Sequence, residues 1–295
     1  MGFKLGWRLC ASLALLLTAG CGSSGTQFLR HDIPQDSIKI GVKSDQPGTG
    51  WTPDGYAFSG FDIDVAKELG QALGFHDTLV AVPSQDRVTA LTQSDAGEVD
   101  LVIATFSITQ DRAHQIYFAG PYAKTYQGFL VRKNDSRIKT LADLHGKRAC
   151  AWEGTNSLQV LQKQVPDVVA ATTSTADQCV DELRSGQVDA VSTDQLILYG
   201  FAHQYPDLKV VPDLMIGAAN YYGIGMAKHD QRGDSNLADC RRVRDALKGY
   251  VGSSAWKQDM GQDLPMFVAD PQWMTLDRPS VADIDRLSCT DDLAD

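Results

Sequence analysis

Three short stretches gather side chains that recognise charge. In Ala104-Thr105-Phe106-Ser107-Ile108-Thr109-Gln110-Asp111-Arg112 an apolar strand ends in hydroxyl residues, and an arginine follows shortly after. That set suits a carboxylate: the planar fork of Arg112 can grip two oxygens while Ser107 and nearby backbone N–H groups add donors. The competing use is a hydroxyl-rich helix cap beside a solvated arginine. A second apolar strand, Val188-Asp189-Ala190-Val191-Ser192-Thr193-Asp194, runs straight into a carboxylate, and Asp194 can either hold an ammonium group or cap a helix starting at Gln195. The third stretch, Glu153-Gly154-Thr155-Asn156-Ser157, is a glycine turn opening a helix, whose first N–H groups and hydroxyls favour an anion. Together the three complement a zwitterion, because burying one carboxylate and one ammonium demands paired charges and donors around both.

Other chemistry finds little support. The chain has no G-x-S-x-G elbow, H-E-x-x-H helix, phosphate-binding Walker loop or dinucleotide fingerprint, and Gly223-Ile224-Gly225 is too short to imply a cofactor. Its 6 histidines are scattered, so neither a metal nor a cofactor is expected.

The elements that must position the three stretches follow an α/β grammar. Ile38–Val42 reads as a strand, and 46–60 as a loop. A helix capped by Asp62 comes next, with Ile63, Val65, Ala66, Leu69, Ala72 and Leu73 on one face. A strand at 78–82, a helix at 87–91 and a buried strand at 99–104 complete a β-α-β-α-β run. From residue 141 the pattern restarts: a helical turn 141–144, a strand 148–152, helices near 158, 179–183 and 195–204, and a strand 188–192. A strand 221–226 and helices 241–248 and 253–260 follow, and the tail after Leu276 reads as irregular until Cys289. Two α/β lobes with a C-terminal return imply a cleft at the carboxyl ends of strands, where the three stretches fall.

Compartment and partners follow from the ends and the charge. Lys4 and Arg8 precede an apolar run from Leu9 to Leu17 that ends in small residues and Cys21, the pattern of an export signal over residues 1–20. Leu17-Thr18-Ala19-Gly20-Cys21 resembles a bacterial lipobox, with Thr18 where an aliphatic residue is usual. Cys21 is therefore expected to be acylated, followed by a tether to residue 36 that starts with the polar run Gly22–Gln27. The alternative is an ordinary secretory signal with Cys21 incidental. No later segment approaches the roughly 20 apolar residues of a membrane-spanning helix. Net charge is −10, and losing Lys4 and Arg8 takes it to −12, with no basic run to track phosphates, so nucleic acid is not an expected partner. Setting aside Cys10 and Cys21 leaves Cys150, Cys179, Cys240 and Cys289. Four cysteines allow three pairings, and proximity in sequence favours Cys150–Cys179 and Cys240–Cys289.

The chain resembles the extracytoplasmic polar amino-acid-binding proteins of ABC importers, the group with glutamine- and glutamate-binding members, from about Ile38 to Met260. The likeness is carried by Gly60-Phe61-Asp62-Ile63-Asp64-Val65, Ser107–Arg112 with Phe118-Ala119-Gly120-Pro121-Tyr122, Leu144-His145-Gly146-Lys147, Gly154–Ser157, Val188–Asp194 and Tyr222-Gly223-Ile224. It implies the two-lobed periplasmic-binding-protein fold of type II, an α/β fold: lobe 1 at 37–121 and 223–290, lobe 2 at 127–217, and hinges at 122–126 and 218–222. It also implies roles. Arg112, Thr155 and Asn156 would bind an α-carboxylate; Asp194, Thr105 and Ser107 an α-ammonium. Thr105 departs from the glycine frequent in the family, and Thr193 from the histidine of some glutamine binders. Side-chain selection would fall to Lys43, Gln46, Trp51, Ser84, Arg87 and Trp152 on loops facing the cleft. Inward-pointing Lys43 and Arg87 would favour glutamate or aspartate; solvated ones would leave glutamine or asparagine equally open. The expected protein is a monomeric, lipid-anchored extracytoplasmic receptor that delivers a polar amino acid to a membrane permease and performs no catalysis. The alternatives are a receptor reporting to a membrane sensor, or a dehydratase on the same fold with Glu153 as acid.

Overall fold

The computed structural model describes residues 1–2, 37–93, 99–230, 232–269, 271 and 273–293. The expected export signal, Cys21 and the tether lie outside the described residues, apart from positions 1–2. No helix among the described residues is long and apolar enough to cross a membrane.

The chain begins with β1 (Ser37–Val42), the short hairpin β2 (Asp45–Gln46) and β3 (Gly50–Trp51), then α1 (Phe61–Leu73), β4 (His76–Ala81), α2 (Thr89–Thr92), β5 (Leu101–Val102) and α3 (Gln110–Ala113). Alternating burial along β1 and the face Phe61, Ile63, Val65, Ala66 and Leu69 on α1 explain why this unit folds, since each element has one apolar side to hide. The long β6 (Ile116–Arg132) then leaves this unit and enters a second one. There lie β7 (Arg148–Trp152), α4 (Asn156–Gln164), β8 (Val169–Thr173), α5 (Ala176–Ser185), β9 (Ala190–Asp194), α6 (Gln195–Gln204) and β10 (Leu208–Val210). The chain returns along β11 (Ile216–Ala227) and ends in α7 (Leu237–Gly252), α8 (Ser254–Asp263), α9 (Trp273–Leu276) and α10 (Val281–Leu287).

The strands form one mixed sheet in the order β4-β1-β5-β11-β6-β9-β7-β8, with β10 on β6. β1 pairs in parallel with β4 and β5, and β7 with β8 and β9, as βαβ crossovers require. The antiparallel ribbon β6–β11 joins the halves, so the two lobes share two strands and little else of the sheet. Each half has its own apolar packing: Ile40, Phe61, Leu101, Val243 and Trp256 on one side, Cys150, Val180, Leu198 and Phe201 on the other.

Two readings need correction. Asp62 does not cap α1: Gly60 occupies the cap position, and the Asp62 carboxylate turns inward instead. The tail after Leu276 is not irregular either, because Ser280 and Asp283 form a reciprocal capping box that starts α10. Both cysteine pairs are disulfides, Cys150–Cys179 tying β7 to α5 and Cys240–Cys289 tying α7 to the segment after α10.

Candidate functional site

The ends of β7 and β9 and the turn after β5 face one another around a narrow space walled by Gln46, Ser84, Arg87, Thr105, Ser107, Trp152, Thr155, Asn156, Ser157, Thr193, Asp194 and Ile197. The free volume among them is about 10 Å³, room for about one water, so the walls close almost onto one another.

Asp194 stands at the cap position of α6 but does not cap it. Its Oδ2 accepts hydrogen bonds from Asn220 Nδ2 (2.9 Å) and the Tyr222 hydroxyl (2.7 Å), both on β11. Asn220 Nδ2 also donates to Ser107 Oγ at 2.9 Å, so a single strand residue links the carboxylate of one lobe to the hydroxyl of the other. Burial to 4% exposure raises the Asp194 carboxyl above the usual carboxylate range, against the two donors and the charges of Arg87 and Arg112.

Two guanidinium groups stand opposite. Arg87, 3% exposed, donates through Nε to Ser84 O, through Nη1 to the carbonyls of Ala104 and Thr105, and through Nη2 to Gly154 O across the cleft. Arg112 sits at the rim, its Nη1 on Ser107 O (2.8 Å) and Nη2 on Gly154 O (3.0 Å). Both lie near the ring of Phe106, 4.8 and 4.9 Å from its centroid. Burial pushes Arg87 down to about 10 and, with Arg87 as neighbour, Arg112 to about 9, so both stay protonated at neutral pH. Gly154 accepts both arginines because its φ is 71° and a Cβ there would lie 2.3 Å from Gln85 Cα.

Thr105 adopts φ 44°, which few non-glycine residues tolerate. Polar contacts hold it: its N–H donates to Asp62 Oδ2 (2.8 Å), its carbonyl accepts from Arg87 (3.1 Å), and its hydroxyl lies 2.8 Å from Ala104 O and 2.9 Å from Gln46 Oε1. Tyr122 OH donates to the other Asp62 oxygen at 2.7 Å. Thr155 accepts the Leu158 N–H as cap of α4, which leaves Asn156 as the first helical residue on the wall.

Two polar atoms on the wall, Ser84 Oγ and Trp152 Nε1, are buried without a partner among the described residues. Arg112, Lys43 and Trp51 are not part of the wall. Lys43 is buried against Asp45 Oδ1 (3.2 Å) and Val82 O (3.3 Å), and Trp51 bridges to Ser59. Sequence reasoning included Ser157 only as part of the 153–157 turn and gave no role to Thr193 and Ile197 on the wall, or to Asn220 and Tyr222 behind it. A polar residue in the strand Ala218–Tyr222 was the available signal for Asn220. Glu153 is exposed, and no group of three or more His, Cys, Asp or Glu among the described residues could hold a metal.

The sequence profile of bacterial extracellular solute-binding proteins, family 3, matches residues 38–209. Glutamate-binding protein GluB of Corynebacterium glutamicum is 37% identical over 235 residues, covering 75% of this chain and 79% of its own length. A glutamine-binding protein of Geobacillus stearothermophilus is 29% identical over 250 residues, covering 76% and 94%. Among solved structures, an ancestral arginine-binding protein bound to glutamine superposes with a TM-score of 0.67 at 27% identity, covering 78% of this chain and 98% of that one. A solute receptor for L-cysteine of Neisseria gonorrhoeae gives 0.71 at 23% identity, covering 83% and 96%.

Proposed function

The chain belongs to the bacterial extracellular solute-binding proteins of family 3, and from that premise we propose that it is the receptor of an ABC importer for a polar amino acid. The observation that carries this reading is the enclosed wall itself. It sets Asp194 against the protonated Arg87, with Arg112 outside the lining at the rim, and leaves the buried Ser84 Oγ and Trp152 Nε1 without partners among the described residues, a surrounding that an amino acid satisfies and an apolar ligand does not.

In this reading the α-ammonium meets Asp194, with Thr105 and Ser107 beside it, and the α-carboxylate meets Arg112, Thr155 and Asn156 at the start of α4. The ligand's side chain extends toward Gln46, Ser84, Arg87 and Trp152. Lys43 is neutralised by Asp45 and adds no charge for the ligand, and on the wall the cation Arg87 is matched by the carboxylate of Asp194. That balance suits a zwitterion and leaves glutamate, aspartate and their amides as candidates.

Residues 37–121 and 223–290 form one lobe, 127–217 the other, and 122–126 and 218–222 the hinges. The lobes close on the ligand, and the closed form docks on the permease. The receptor works as an extracytoplasmic monomer held to the membrane through acylated Cys21, and no bond of the ligand is made or broken. Uptake of labelled glutamate and glutamine by cells lacking the chain tests the transport role. Uptake should collapse for one of them and return with the restored gene; wild-type uptake of every polar amino acid would contradict it.

A further inference from the structure

Helix α6 carries Gly200 at a buried position in its interior, where glycine weakens a helix relative to alanine. A Cβ built there would lie 1.8 Å from the Pro47 carbonyl oxygen, 2.8 Å from its carbonyl carbon and 3.5 Å from Gly48 N. All three nearest atoms belong to the turn between β2 and β3, in the other half of the molecule. Backbone therefore rests directly on backbone.

That hairpin contacts the other half at two residues and lines the cavity at the one between them. Asp45 Oδ2 accepts the Ala176 N–H at the start of α5, at 2.8 Å. Gln46 lines the cavity and takes the Thr105 hydroxyl bond. Pro47 fills the space above Gly200. Next to it the rings of Tyr199 on α6 and Phe267 meet edge to face, 5.7 Å apart. The hairpin thus spans from the ligand space to the contact between the two halves.

Building on the receptor reading above, we propose that Gly200 is a closure-permitting residue: it leaves a slot in α6 into which the β2–β3 hairpin docks when the lobes shut, and it does not serve the packing of its own lobe. An alanine at 200 would then favour the helix and oppose closure. The two effects have opposite signs and can be read separately.

The test compares wild type, Gly200→Ala and Gly249→Ala. Gly249 lies in α7, where a Cβ would meet nothing within 4 Å, so its replacement reports the helix effect alone. Each protein is titrated with L-glutamate and L-glutamine, melted without ligand, and measured by small-angle scattering with and without ligand. Both variants should melt at or above wild type. Gly249→Ala should bind as wild type, while Gly200→Ala should lose at least about tenfold in affinity and fail to compact on ligand addition. Wild-type binding and compaction by Gly200→Ala would overturn the proposal. So would its failure to fold, since that would assign the glycine to the interior of its own lobe. If the wild type bound neither amino acid, the receptor reading itself would fall, and this proposal with it.

Discussion

Asp62 shows how a residue's role depends on what folds around it. In sequence it looks like a helix cap; in the structure its two oxygens take the Thr105 N–H and the Tyr122 hydroxyl, with Arg87 and Lys43 nearby. Burial pushes its carboxyl up to about 7. Between the ordinary carboxylate range near 4 and about 7, the folded protein therefore holds a proton that the unfolded chain releases. Stability should decline as pH rises through that window and level off above it. Asp62→Asn should flatten the decline by on the order of 1–3 kcal/mol between pH 5 and pH 8, read from urea unfolding at each pH. Asp194 and Asp263 are also raised, but they are common to both proteins and cancel in the comparison. Thr105 yields a second prediction. Thr105→Ala keeps a Cβ at positive φ and loses the hydroxyl, whereas Thr105→Gly loses the hydroxyl and relieves the backbone. The alanine variant should be the less stable of the two by about 1 kcal/mol in the same assay. The arginines and Asp194 were legible because charge beside an apolar strand stands out; Tyr222 was not, because a tyrosine in a strand is usually packing.

Among the elements, α6 was readable from Gln195 to Gln204, since an apolar run closed off by Asp194 and Tyr205 leaves little room for another assignment. The hairpin β2–β3 was not, because two strands of two residues have no periodicity to detect, and its glycines and Pro47 read as loop. β6 is 17 residues long and was recognised only through its hinge, because it is buried on both faces along most of its length and loses the alternation of an exposed strand. The segment after α10 depends on contacts remote in sequence. Ser288 Oγ bonds both Gly120 N and Gly120 O at 2.9 Å, Cys289 N donates to Phe118 O, and the Cys240 disulfide fixes the result. That disulfide closes a span of 49 residues, so replacing both cysteines with alanine should lower stability by about 2–4 kcal/mol in denaturant unfolding. Because the bond lies away from the cavity wall, ligand affinity should change by less than about threefold in the surviving folded protein.

At the scale of the whole molecule, two half-sheets joined by the β6–β11 ribbon can reorient with few bonds broken, and both hinge strands supply groups to the buried carboxylates: Tyr122 to Asp62, Asn220 and Tyr222 to Asp194. In the proposed receptor reading, Asp194 would link ligand charge to the position of the second hinge strand through these hydrogen bonds. The two arginines on Gly154 O and Asp45 on Ala176 N add bonds that form only when the lobes meet. The most direct test of the account is calorimetric titration of residues 22–295, disulfides intact, with each of the common amino acids, in wild type and in Arg112→Ala. The account predicts selective binding of one acidic amino acid or its amide, weakened at least about thirtyfold in the variant, as expected when one partner of a buried charge pair is removed. A folded wild-type protein that binds no amino acid, or an Arg112→Ala variant that binds as tightly as wild type, would contradict it.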